Sequence, residues 1–158
     1  MREPHWKSYM VLSPKPILTP QQCEELIKLG QSESKADGTV AAHENPTKKD
    51  YTVRKSNISW IPFDKATTAY DIISGWMLNV NINQFGFDNM QMNEPGQYSE
   101  YSKGGFYNWH VDIGVNTAQM PVVRKISMTL LLNDHRVRPI TSGNRKTLVM
   151  WFGGTPLR

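Results

Sequence analysis

The sequence predicts an α+β domain: helices gathered in the first half, strands in the second, a β-sandwich or barrel covered by helices on one side. Apolar residues recur at three- and four-residue spacing in two segments before Phe85, the period of a helix with one buried face. Beyond Phe85 the pattern changes to β-branched and aromatic runs cut by Gly, Pro and Asn turns. A chain of 158 residues with 39% hydrophobic content suits one core, so a single domain over residues 1–158 is expected.

The first helix is predicted from about Pro20 to Leu29. Thr19 is placed to cap it, Pro20 fits the first helical position, and Gln22 completes a capping box. Cys23, Leu26 and Ile27 form its apolar face, and Gly30 reads as its stop. Residues 31–50, rich in Ser, Lys, Asp and Asn, read as a surface loop. Val53, Ile58 and Trp60 suggest a strand over Thr52–Pro62, ended by Pro62. A second helix is predicted from about Lys65 to Asn83, with Tyr70, Ile73, Trp76, Met77 and Val80 as its core-facing stripe. Strands are predicted at 90–101, 105–113, 124–133, 135–140 and 145–152. There is no internal repeat and no low-complexity segment.

Bulk properties exclude several classes. Mean hydropathy is −0.51, and no apolar run approaches the roughly 20 residues of a membrane helix. The N-terminal residues lack a signal-peptide pattern, so a soluble, cytoplasmic protein is expected. The single cysteine, Cys23, excludes an internal disulfide and a cysteine-based zinc site, and on the apolar helix face it is expected to be a buried, inert thiol. The net charge of +4 comes from scattered basic residues. It admits an anionic partner, but the aromatic-basic interleaving of a nucleic-acid surface is missing.

The chemistry concentrates around His110 and Asp112. Residues two apart on a strand project from the same face, so an imidazole and a carboxylate would stand side by side as neighbouring ligands for a divalent metal. A further histidine would complete a two-histidine, one-carboxylate triad with open positions for a co-substrate and O₂. Among His5, His43 and His135, the last is the best candidate, because it opens a strand-like segment. Taken alone, His-x-Asp reads equally well as a hydrogen-bonded surface pair, since the spacing is common. Arg145 lies ten residues after His135, across a Thr141-Ser142-Gly143-Asn144 turn. A guanidinium there could bind the far end of a dicarboxylate whose near end chelates the metal, although a lone turn arginine is often merely solvated.

The segment Tyr101-x-x-Gly104-x-x-Tyr107-x-x-His110-x-Asp112 resembles the prolyl-4-hydroxylase-like iron(II)/2-oxoglutarate oxygenases. The tail from His135 through Arg145 and Thr147 to Trp151 is similar to that superfamily's closing motif, and the PKHD-type hydroxylases are the nearest group. The likeness extends weakly to Leu18–Leu29 and Arg54–Asp88. It implies a double-stranded β-helix, or jelly-roll, with helical support and first strands in 1–89 and the jelly-roll core in 90–158. It further implies Fe(II) on His110, Asp112 and His135, and 2-oxoglutarate on Arg145 with Tyr101 and Thr147 assisting. Tyr107 and Trp109 would shape the substrate side, or else pack as strand aromatics. The implied reaction is hydroxylation of a peptidyl side chain, such as a prolyl one, or of a small molecule. 2-Oxoglutarate would be decarboxylated to succinate, with O₂ consumed and L-ascorbate as an accessory reductant.

One feature departs from the family. Asp112 and His135 are 23 positions apart, and Leu130-Leu131-Leu132-Asn133-Asp134 runs straight into His135. In the family that interval is much longer, so a barrel short of about three strands, on the order of 30 residues, is expected. Residues missing from the sequence at this junction, an open barrel that is monomeric or completed in a strand-paired homodimer, and a relative that has lost activity all fit. The alternatives to an oxygenase of peptides or small molecules are an inactive β-sandwich acting as a binding module and a nucleic-acid-directed oxygenase.

Overall fold

The computed structural model describes residues 9–37, 53–112, 122–133, 140 and 142–154. Helix α1 spans Pro20–Ser32, and its start is the predicted capping box. Thr19 Oγ1 accepts from the Gln22 N–H at 3.2 Å, and Gln22 Oε1 accepts from the Thr19 N–H at 2.9 Å. Thr19→Ala is therefore expected to lower stability by about 1 kcal/mol, read from the urea unfolding midpoint. The helix end corrects the sequence reading, because α1 runs through Gly30. Glycine is required there by packing: a Cβ would stand 2.3 Å from Cγ of Tyr98.

Strand β1 is Ala36–Asp37, β2 is Arg54–Lys55 and β3 is Asn57–Ile61. The single strand expected over 52–62 is thus two, parted at Ser56, because β2 pairs with a different sheet from β3. A 3₁₀ turn at Phe63–Lys65 precedes helix α2, Thr67–Val80, shorter at both ends than predicted. A π turn, Asn81–Phe85, follows α2 and ends at Gly86 with φ of 74°. The Asn81 side chain explains the widening: its Nδ2 donates to the Phe87 carbonyl and its Oδ1 accepts from the Phe87 N–H, drawing the chain back across the helix end. Tyr70, Ile73, Met77 and Val80 are buried as the stripe required, with Trp76 packed at its edge.

The remaining strands are β4 (Gln91–Met92), β5 (Gly96–Tyr101), β6 (Phe106–Tyr107), β7 (Val123–Leu131) and β8 (Arg145–Gly154). The predicted strand 90–101 is interrupted at residues 93–95, where Pro95 has no N–H to offer a ladder. Its two pieces, β4 and β5, both pair with β8, and β7 pairs with β8 as well. The main sheet is antiparallel in the order β1-β3-β5-β8, and β2 and β6 form a separate pair. Helix α1, α2 and the chain before them cover one face, burying Leu26, Ile61, Ile73, Tyr98, Leu148 and Met150 in one core. The α+β expectation therefore holds, with antiparallel sheets. Among the described residues the sheet does not close into a barrel, and nothing pairs with the outer edge of β7. The expected strand at 135–140 lies, apart from Ile140, outside the described residues. No described helix is long and apolar enough to cross a membrane.

Candidate active site

Alternation along β5 sends Tyr98 to the helices and Gln97, Ser99 and Tyr101 to the opposite face. The β5–β8 register sets Thr147 opposite Ser99 and Arg145 opposite Tyr101, so these residues share that polar face. Thr147 and Tyr101 are buried, and the Arg145 guanidinium lies 4.5 Å above the Tyr101 ring.

Arg54, delivered by β2, occupies the middle of this face and is only 3% exposed. Its Nη2 donates to Gln97 Oε1 and Ser99 Oγ at 2.9 Å and to the Tyr101 hydroxyl at 3.4 Å. Its Nε donates to Ser56 Oγ at 2.8 Å. All four acceptors are neutral, and among the described residues no carboxylate pairs with this buried cation. The guanidinium also stacks 4.4 Å over the Tyr107 ring. Burial raises the Tyr107 phenol above its ordinary pKa, an effect that the Arg54 charge opposes.

Tyr107 in turn stacks on the His110 imidazole, with ring centroids 3.6 Å apart and planes 9° from parallel. His110 Nδ1 lies 2.8 Å from the Asn108 carbonyl oxygen. A carbonyl can only accept, so Nδ1 is the donor in this contact and the other ring nitrogen is Nε2. That atom stands 3.1 Å from Asp112 Oδ1. Asp112 Oδ2 accepts from Ser127 Oγ, and the Asp112 carbonyl accepts from Arg124 Nη1 at 3.2 Å. A register shift at Lys125 allows Arg124 and Ser127, three residues apart, to reach the same residue. Arg124 is itself held by a two-point pair with Glu94, at 2.7 and 2.6 Å, and lies 3.8 Å over the Trp151 ring.

The structure corrects how the pair is positioned. The strand expected over 105–113 ends at Tyr107, so the pleat does not align His110 and Asp112. The Asn108 carbonyl is taken by the His110 ring, and the Asn108 N–H donates to the Val53 carbonyl at 2.8 Å, diverting the chain from a ladder. Convergence instead comes from the Tyr107 stack on one side and Ser127 with Arg124 on the other. Trp109 is fully exposed and packs in no strand. His135 lies outside the described residues, and among those described no group of three His, Cys, Asp or Glu side chains converges.

The donor set fits part of a metal site. Two ligand atoms on adjacent corners of an octahedron with bonds near 2.1 Å are separated by about 3.0 Å. The Nε2–Oδ1 distance of 3.1 Å matches that edge. A carbonyl on the remote imidazole nitrogen and a hydroxyl on the remote carboxylate oxygen are the outer partners that orient such ligands. Arg54, Ser127 and Arg124 went unrecognised in the sequence. Each is brought in by a strand pairing or register shift that local pattern does not encode.

No family model matches the chain, and no curated protein or solved structure does.

Proposed function

We propose that the chain is an Fe(II)- and 2-oxoglutarate-dependent oxygenase of jelly-roll ancestry, acting on a peptidyl side chain or a small molecule. The observation that carries this reading is the 3.1 Å approach of His110 Nε2 to Asp112 Oδ1, with each outer atom already hydrogen-bonded. Contact runs unbroken from Arg145 through Tyr101, Arg54 and Tyr107 to His110, which supports a metal and a co-substrate anion held at one site.

His110 and Asp112, joined by His135, would hold the iron, which when bound supplies O₂ activation coupled to decarboxylation of 2-oxoglutarate to succinate. Arg145 receives the distal carboxylate in this reading, with the Tyr101 ring beneath it fixing the guanidinium plane. The Thr147 hydroxyl, buried beside it on β8, lends a further donor. The Arg54 charge draws dianionic co-substrate to the face. Tyr107 fixes the imidazole plane, and the exposed Trp109 supplies an aromatic surface to an incoming substrate. L-Ascorbate would keep iron ferrous between turnovers.

The outer edge of β7, which no strand among the described residues pairs with, favours one second reading, a non-catalytic relative that binds a partner. Succinate formation from 2-oxoglutarate with Fe(II), ascorbate and O₂, in the absence of prime substrate, separates the two. Slow turnover is expected, abolished by His135→Ala and by Arg145→Ala. Absence of turnover, together with no calorimetric binding of Fe(II) or 2-oxoglutarate, would leave the binding-module reading.

A further inference from the structure

On the helix-covered side of the sheet, a cleft of about 860 Å³ opens between the segment Tyr9–Leu18, helix α2 and β7. Its wall is largely apolar, with Met77, Val80, Phe85, Phe87, Met128 and Leu132 among its lining side chains. Two lysines, Lys15 and Lys125, line it, and no acidic residue does among those described. Lys125 stands at the register shift of β7, is half-buried, and brings its Nζ to 6.0 Å from the Phe87 ring centroid. No carboxylate forms an ion pair with it among the described residues. Partial desolvation of the ammonium lowers its pKa.

Cavities of this size with an apolar lining and one or two polar groups are characteristic small-molecule sites. Lys15 is exposed to solvent whereas Lys125 is half-buried, so the polar requirement inside the cleft is a negative charge at Lys125, and most of the remaining wall asks for hydrocarbon. We propose that the cleft binds a fatty-acid-class amphiphile, with its alkyl chain between α2 and β7 and its carboxylate at Lys125 Nζ. Such a ligand brings a counter-charge to the ammonium and covers the apolar wall in one step. Cys23, which also lines the cleft, supplies a built-in reporter: its thiol is half-buried, and burial raises its pKa.

The test is calorimetric titration of the full chain with sodium dodecanoate, decanoate and the uncharged dodecanol, all below their aggregation concentrations. Dodecanoate is expected to bind saturably at one site, about tenfold more tightly than decanoate, the increment for two methylenes. It should also slow modification of Cys23 by a disulfide reagent. Lys125→Met keeps the side-chain bulk and removes the charge. It is expected to weaken dodecanoate at least tenfold while leaving dodecanol and the thermal unfolding midpoint unchanged. Absence of saturable dodecanoate binding, equal binding by wild type and Lys125→Met, or protection of Cys23 by self-association without any ligand would each overturn the assignment. The last outcome would give the cleft to a second copy of the chain.

Discussion

Gly30→Val is expected to destabilise the domain by more than about 3 kcal/mol, a large share of the roughly 5–15 kcal/mol that holds a domain of this kind folded. The reason lies in one contact. Cγ, Cδ2 and Cδ1 of Tyr98 would stand 2.3, 2.6 and 2.7 Å from an added Cβ, far inside van der Waals contact. The ring cannot retreat, because Tyr98 is 1% exposed at the centre of β5, with β3 on one side and β8 on the other. Helix α1 must therefore lift, uncovering Leu26 and breaking the bond from Ser59 Oγ to the Gly30 carbonyl. Gly75 supplies the control. It sits exposed in α2 with nothing within 4 Å of its would-be Cβ, so Gly75→Ala should stabilise by about 0.5–1 kcal/mol through helix propensity alone. Urea titrations followed by circular dichroism read both. A Gly30→Val protein within 1 kcal/mol of wild type would mean that α1 does not bear on Tyr98 as described.

The same glycine shows how far the sequence could be read. Local signals in the first half were legible: the capping box at Thr19 and Gln22 and the apolar stripe of α2 depend only on neighbours three and four residues away. Gly30 looked like a helix stop because the ring that demands a glycine is contributed 68 positions later in the chain. Ser56 looked like mid-strand because only pairing reveals that Arg54 and Asn57 belong to different sheets. At the site, motif reading selected His110 and Asp112, and the structure brings them together. It does so through a ring stack, a carbonyl and a hydroxyl, whereas the sequence suggested a strand pleat. Arg54 was invisible as more than one scattered cation, since its burial depends on Gln97, Ser99 and Tyr101 across the sheet. His135, the third ligand the motif supplies, lies outside the described residues.

Asp112→Asn is expected to lower affinity for Fe(II), measured anaerobically, or for Mn(II) as its redox-stable substitute, by at least ~100-fold, while shifting stability by less than ~0.5 kcal/mol. The two halves of this expectation have different causes. The His110 and Asp112 side chains are 26% and 29% exposed, and a partly solvated pair of this kind contributes little to folding. A metal responds differently, since an amide oxygen carries no net charge and is a much weaker donor to a hard dication. Ser127→Ala should give an intermediate loss of about tenfold, because it frees Asp112 Oδ2 and lets the carboxylate turn without removing it. That ordering, large for Asp112, moderate for Ser127 and small for the unfolding midpoint of both, belongs to a ligand with an orienting partner. A hydrogen-bonded surface pair would behave otherwise: Mn(II) would bind weakly or not at all to wild type, and neither substitution would change it. A hydrogen bond and an octahedral edge both place nitrogen and oxygen about 3 Å apart, so the response to added metal separates the two. The Asn108 carbonyl on Nδ1 leaves Nε2 as the ring nitrogen that faces Asp112, the atom placed to take a metal beside the carboxylate.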